Sequence, residues 1–113
     1  MTNITAPVGL SEAGKRLWCA LSDEFELSPH ELELLREAAS TADQIAALQA
    51  LVEADGLMMT SPQGQKVHPA AVEARQQRIV LARLLAALRI PAEEDDERGS
   101  VRGAPRGVYR AKL

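Results

Sequence analysis

The stretch that decides the fold is Leu27-Ser28-Pro29-His30-Glu31-Leu32, which contains several signals for the start of a helix. Ser28 is a preferred N-cap residue, a proline follows at the first helical position, and Glu31 can complete a capping box with Ser28. Apolar residues then continue at helical spacing until Asp55-Gly56, where a glycine offers a left-handed stop. The sequence therefore predicts a helix over about 29–54, roughly 39 Å long at 1.5 Å per residue.

Two further helices and a hairpin are predicted around this one. Apolar residues at spacings of three and four follow Ser11, a good N-cap residue, and predict a first helix over about 11–26. The turn sequence Ser61-Pro62-Gln63-Gly64 predicts a β-hairpin over about 57–67. A third helix is expected over about 69–90, because prolines stand at its start and just after its end. The predicted fold is mainly α: a three-helix protomer with a short β-hairpin between helices 2 and 3 and a flexible C-terminal tail.

The predicted organisation is a flexible leader over 1–9, a helical domain over 10–91 and a disordered tail over 92–113. The tail begins with the acidic block 93–97 and continues as arginine-led tetrapeptides rich in glycine. Such a segment has too little apolar surface to fold alone and is expected to become ordered on a partner.

Charge is distributed unevenly along the chain. The net charge is -3, but residues 1–97 contain 8 Lys+Arg against all 16 Asp+Glu, whereas residues 98–113 contain 5 Lys+Arg and no acid. The body is thus -8 and the tail +5, and a basic arm of this kind is typical of segments that bind polyanions.

Composition indicates the compartment. The single cysteine, Cys19, has no internal disulfide partner, and no apolar run approaches the roughly 20 residues needed to cross a bilayer. The sequence begins without a secretory signal pattern. A reducing cytoplasm is the expected location, with no membrane partner.

No arrangement of residues points to catalysis. The segment Gly9–Arg16 nearly matches a phosphate-binding loop, but Arg16 stands where the hydroxyl residue is needed and no strand precedes it, so coincidence is the preferred interpretation. His30 and His68 lack further ligands at metal-binding spacing, and capping or surface roles are expected for them. The sequence thus predicts a non-enzyme with no cofactor and no metal site.

Candidate DNA contacts lie on helix 3 and in the tail. Arg75, Arg78 and Arg89 project within about 60° of one another on a helical wheel, which fits either a phosphate-contacting ridge or an ordinary solvated face. Guanidinium groups spaced along the tail also suit phosphate contacts, although a purely solubilising tail is the alternative. The predicted DNA-binding residues are Arg75, Arg78, Arg98, Arg102, Arg106, Arg110 and Lys112.

Candidate protein contacts are separate from these. Val108 and Tyr109 could anchor the tail in a pocket on a protein partner. Helix 2 has two apolar stripes, so that one can meet its own chain and the other a second copy. Its residues Ile45, Leu48 and Val52 are the predicted oligomerisation residues.

A series of short segments, in order along nearly the whole chain, resembles the small subunit of tailed-phage terminases. They comprise Gly9-Leu10, Lys15-Arg16-Leu17-Trp18, Glu24-Phe25-Glu26-Leu27, Pro29-His30-Glu31, Asp55-Gly56, Ser61-Pro62-Gln63-Gly64, Val67-His68-Pro69-Ala70, residues 73–78, residues 84–88 and the Arg-Gly-Val-Tyr at 106–109.

The resemblance implies a DNA-packaging role in the cytoplasm of an infected bacterial host. Small subunits of this family are non-catalytic adaptors that assemble into rings, bind double-stranded viral DNA and deliver it to the large subunit, which carries the ATPase and nuclease. One departure is that better-known members bind DNA through a helix-turn-helix, whereas helix 2 here is acidic at Glu31, Glu33 and Glu37. Arg75, Arg78 and the tail are therefore expected to contribute more to DNA binding than helix 2.

Two other functions remain open at this point. A small helical transcriptional regulator or antitoxin-like protein would bind a specific operator as a dimer, with specificity surviving deletion of the tail. A pure protein-interaction module would show no salt-dependent DNA binding at all.

Overall fold

The computed structural model describes residues 5–89 and contains three helices and one hairpin. Their order along the chain is α1 (Glu12–Glu24), α2 (Pro29–Asp55), β1 (Met58–Ser61), β2 (Gly64–Val67) and α3 (Pro69–Leu88). The predicted fold class, mainly α with a β-hairpin between the second and third helices, is confirmed. Within these residues, no helix has both the length and the apolar character needed to cross a membrane.

The start of α2 has the predicted capping box. The backbone N–H of Ser28 donates to Glu31 Oε1 at 2.7 Å, and the backbone N–H of Glu31 donates to Ser28 Oγ at 3.4 Å. Pro29 takes the first helical position, where a missing N–H costs nothing. Local sequence is therefore sufficient to fix where this helix begins.

Helices α1 and α3 each end two residues before the predicted positions. Phe25 is extended, with φ -124° and ψ 150°, so α1 stops at Glu24 rather than near residue 26. At the end of α3, Arg89 has the left-handed conformation, and its N–H donates to the carbonyls of Leu85 and Ala86. This cap satisfies carbonyls that would otherwise lack partners, and it ends the helix at Leu88.

The hairpin projects from the ends of α2 and α3. Its antiparallel register pairs Met58 with Val67 and Ser61 with Gly64. Gly56, which ends α2, has φ 92°, a positive value as predicted, although its ψ of 150° lies outside the left-handed helical region. His68 closes the base of the hairpin, because its backbone N–H donates to the carbonyl of Leu57 at 2.7 Å.

Helix α2 is the centre of the fold, since α1 and α3 both pack against it. The buried cluster contains Trp18 from α1, Leu35 and Ala39 from α2, and Leu88 from α3. All the large buried apolar side chains within residues 5–89 belong to this cluster. The core therefore sits at the end of the molecule that α1 covers, away from the hairpin.

The two helices α1 and α2 run antiparallel and approach closely at Gly14. The first turn of α1 meets Asp43, while only residues 25–28 join its other end to the start of α2. A Cβ atom on Gly14 would lie 2.6 Å from the carbonyl oxygen of Ala39 and 2.5 Å from Asp43 Oδ2. The absence of a side chain at this position is therefore what allows the helices to come so close.

The carboxylate of Asp43 caps α1 from a neighbouring helix. The backbone N–H of Ser11 donates to Asp43 Oδ2 at 2.6 Å, and that of Gly14 donates to Asp43 Oδ1 at 2.7 Å. Ser11 occupies the N-cap position, but its side chain makes no capping hydrogen bond. The predicted cap by the Ser11 side chain is thus replaced by an acid 32 residues away.

We expect Asp43→Ala to lower the free energy of unfolding by about 1–2 kcal/mol, because it removes an N-terminal cap and a negative charge at the positive end of a helix dipole. Chemical denaturation followed by circular dichroism measures this loss. Glu53→Ala, which removes an exposed carboxylate from the same helix, is the control and should change stability little. Equal effects of the two substitutions would show that Asp43 does not hold α1 in place.

Candidate nucleic-acid interface

Three exposed arginines lie on α3 and at its C-cap. Arg75, Arg78 and Arg89 are exposed, and together they are called the arginine ridge below. The three arginines span about 21 Å at 1.5 Å per residue. Arg75 and Arg78 lie roughly a quarter turn from the buried positions of α3, whereas the left-handed backbone of Arg89 takes its side chain off the helical wheel. Ala82, which is exposed, lies on the same side of α3 as Arg75 and Arg78.

A hydrogen bond fixes the orientation of the ridge relative to α2. Arg78 Nη2 donates to Gln49 Oε1 at 2.9 Å. A guanidinium group has five N–H donors, so this contact positions the side chain and leaves other donors for a ligand. Among residues 5–89, Arg75 and Arg89 have no ion-pair partner. The ridge is thus a set of cations whose charge is not neutralised by neighbouring acids of the described chain.

Opposite charges are separated between the two halves of the described chain. Residues 11–55 contain ten acids and three bases, whereas residues 56–89 contain one acid and five bases. The one acid, Glu73, accepts a hydrogen bond from Gln77 Nε2 at 2.8 Å. The hairpin and α3 therefore present a positive surface, while α1 and α2 are negative and would be repelled by phosphate.

The segment that resembles a phosphate-binding loop is already occupied by an internal anion. Its amides at Ser11 and Gly14 donate to the Asp43 carboxylate, as described above. A phosphate at this helix N-terminus would have to displace that carboxylate and tolerate its charge. The geometry thus supports the interpretation of the segment as a coincidental match.

Both histidines make hydrogen bonds within the protein. His68 caps α3, because its Nδ1 accepts from the N–H of Ala70 at 2.9 Å and its Nε2 bonds Asp55 Oδ2 at 2.8 Å. His30 is exposed, and its Nδ1 lies 3.0 Å from Ser28 Oγ. Across the described part of the chain, no three His, Cys, Asp or Glu side chains are grouped so that they could hold a metal ion.

The residues predicted for oligomerisation share one side of α2. Ile45, Leu48 and Val52 are half-buried, and on a helical wheel they project about 170° from Ala39 and Asp43, which face α1. On α3, Val80 and Leu84 project about 170° from Arg75 and Arg78.

The predicted tail residues Arg98, Arg102, Arg106, Val108, Tyr109, Arg110 and Lys112 lie outside the described residues. Helix α3 alone therefore represents the predicted DNA-binding surface in the structure. No family model, curated protein or solved structure matches this chain.

Proposed function

We propose that this protein is a non-catalytic, self-associating adaptor that binds double-stranded DNA and delivers it to a packaging enzyme, as the small subunit of a tailed-phage terminase does. The proposed setting is the cytoplasm of an infected bacterium. Two things support the proposal: the ordered sequence resemblance to that family, and the separation of charge between the acidic α1–α2 region and the basic hairpin and α3. The separation of charge is the observation that supports DNA binding by this protein.

The arginine ridge suits contacts with the DNA backbone. Along one strand, phosphates are spaced by about 3.4 Å of helix axis, so a ridge of about 21 Å spans roughly six of them. Exposed arginines on a rigid helix can contact several of these phosphates without reading base sequence. The acidic residues of α1 and α2 would at the same time disfavour other orientations of the protein on DNA.

The tail is proposed to extend the same function. Arg98, Arg102, Arg106, Arg110 and Lys112 supply further phosphate contacts, and Val108 with Tyr109 supplies an apolar anchor on the large subunit. This division follows from the chemistry of the side chains, since guanidinium groups pair with phosphate and aromatic residues are enriched in protein interfaces.

We expect Arg75→Ala combined with Arg78→Ala to weaken binding to duplex DNA about 10-fold at low salt and to reduce the salt dependence of binding by about two counterions. Fluorescence anisotropy of a labelled duplex, titrated with the full chain at several salt concentrations, measures both quantities. Lys15→Ala with Arg16→Ala is the matched control, because it removes the same charge from exposed positions on α1.

The outcome of this experiment separates three cases. A selective loss in the α3 variant supports the ridge as the DNA contact. Equal small losses in both variants would mean that the loss of any two positive charges weakens binding to DNA, and that the arginine ridge is not a specific contact. Absence of any salt-dependent binding by the unaltered chain would overturn the proposal that this protein binds DNA.

A further inference from the structure

The side of α3 opposite its buried residues carries a strip of exposed side chains. Val72, Gln76, Ile79 and Arg83 are all exposed, and at 100° per residue they project within about 60° of one another. They are called the outer strip below. The strip projects roughly 160° from the three buried residues of α3. It is therefore the part of this helix that a ligand can approach without meeting α2, the helix against which α3 packs.

The two polar side chains of the outer strip are not held by the rest of the protein. Within residues 5–89, neither Gln76 nor Arg83 has a side-chain hydrogen bond or an ion pair, whereas Gln77 and Arg78 on the same helix both donate to other side chains. An amide group has both donors and an acceptor, and a guanidinium group has five donors. The strip thus presents two groups that can each form a pair of hydrogen bonds with a ligand.

We propose that the outer strip reads base edges in the major groove of duplex DNA, while Arg75 and Arg78 contact phosphates beside it. The inference rests on the proposed DNA binding and adds to it the residues that select a sequence. Arg83 matches the two acceptors of guanine, and Gln76 matches the acceptor and the donor of adenine. The two apolar residues of the strip match the methyl group of thymine.

The shape of α3 fits this groove. A helix with its side chains is about 10–12 Å across, and the major groove of B-DNA is about 12 Å wide. Three exposed alanines, Ala82, Ala86 and Ala87, flank Arg83 on the helix, so that the backbone there can lie close to the base edges. Arg75 projects about 70° from the centre of the strip, which directs it towards the wall of the groove, where the phosphates lie.

The charges around the outer strip suit a polyanion. No acidic residue lies within the strip, and Glu73, the acid of α3, projects about 90° from its centre. The hydrogen bond between Arg78 and Gln49 places the middle of α3 beside residues 44–52 of α2, which contain no charged residue. A duplex lying along α3 would therefore meet arginines and uncharged side chains there rather than carboxylates.

The test starts from a pool of duplexes with a randomised central segment, from which the full chain selects bound molecules over several rounds. We expect one sequence to be enriched and to bind about 10-fold or more tightly than a duplex of the same composition in scrambled order, as measured by fluorescence anisotropy. Gln76→Ala and Arg83→Lys should each remove most of this preference. Binding to the scrambled duplex should stay unchanged, because neither substitution alters the charge. Gln44→Ala on α2 and Arg16→Lys on α1, both at exposed positions, are the matched controls and should keep the preference.

The outcomes separate this inference from the proposed function. Loss of the preference in the two strip variants, with both controls unchanged, supports base reading by α3. A preference that survives both strip variants would assign recognition to another part of the chain and overturn the inference. Salt-dependent binding to all duplexes with no enriched sequence would also overturn it, would leave the proposed DNA binding intact, and would assign the outer strip to a protein partner. Absence of binding to any duplex would overturn the proposed DNA binding itself, and the inference with it.

Discussion

Leu88→Ala is expected to destabilise the protein by about 2–5 kcal/mol, the usual cost of truncating a fully buried leucine. Leu88 is 0% exposed and lies in the buried cluster with Trp18 and Leu35. It is the last residue of α3, so its side chain is what attaches the end of that helix to the α1–α2 core. A domain of this size is stabilised by only roughly 5–15 kcal/mol in total. The loss should therefore be a large fraction of the total.

Denaturation with urea, followed through the fluorescence of the single tryptophan, measures this effect directly. Trp18 is 4% exposed and belongs to the same cluster, so its emission reports on the packing that Leu88 completes. The control is Ile79→Ala on the same helix, where the side chain is 44% exposed and truncation should cost much less. Similar losses for the two variants would mean that α3 is not anchored by its C-terminal end.

Gly14→Ala should also be strongly destabilising, by about 1–3 kcal/mol, the range typical of overpacked sites. The added methyl group would lie 2.6 Å from a backbone carbonyl oxygen of α2 and 2.5 Å from Asp43 Oδ2. The carboxylate can move, but then it loses its hydrogen bonds to the first turn of α1. The carbonyl can move only if α1 and α2 separate, which would loosen the packing of Trp18 as well.

The direction of the stability change in Gly14→Ala tests the close approach of α1 and α2. In an isolated helix, replacing glycine with alanine stabilises by about 0.8–1.0 kcal/mol, so a loss of stability can come only from tertiary contacts. Ala20→Gly, at an exposed position of the same helix, is the control. It should lower the free energy of unfolding only by the difference in helix propensity between alanine and glycine. Thermal or chemical unfolding of both variants at one protein concentration measures the two effects. A Gly14→Ala protein more stable than the unaltered chain would contradict the close approach of α1 and α2.

Much of the candidate interface could be predicted from the sequence, because it depends on the position of charges along one helix. Periodicity alone placed Arg75, Arg78 and Arg89 on one side of helix 3. The structure shows all three exposed, but Arg89 is the left-handed C-cap, so periodicity gives the direction of Arg75 and Arg78 only. The hydrogen bond between Arg78 and Gln49 was not predictable, since it joins residues 29 positions apart on two helices.

The sequence by itself determined where helices and turns begin and end, to within one or two residues at the described boundaries. Those signals act over a single turn: the capping box at Ser28 and Glu31, the glycine at the end of α2, and the hairpin turn before Gly64 each involve residues at most four apart. Only the tertiary structure decided that Asp43, and not Ser11, caps α1, and that Gly14 lies against the backbone of Ala39. The physical reason is that these features depend on contacts between distant segments, whose relative position is set by the packing of Trp18, Leu35 and Leu88 rather than by local propensity.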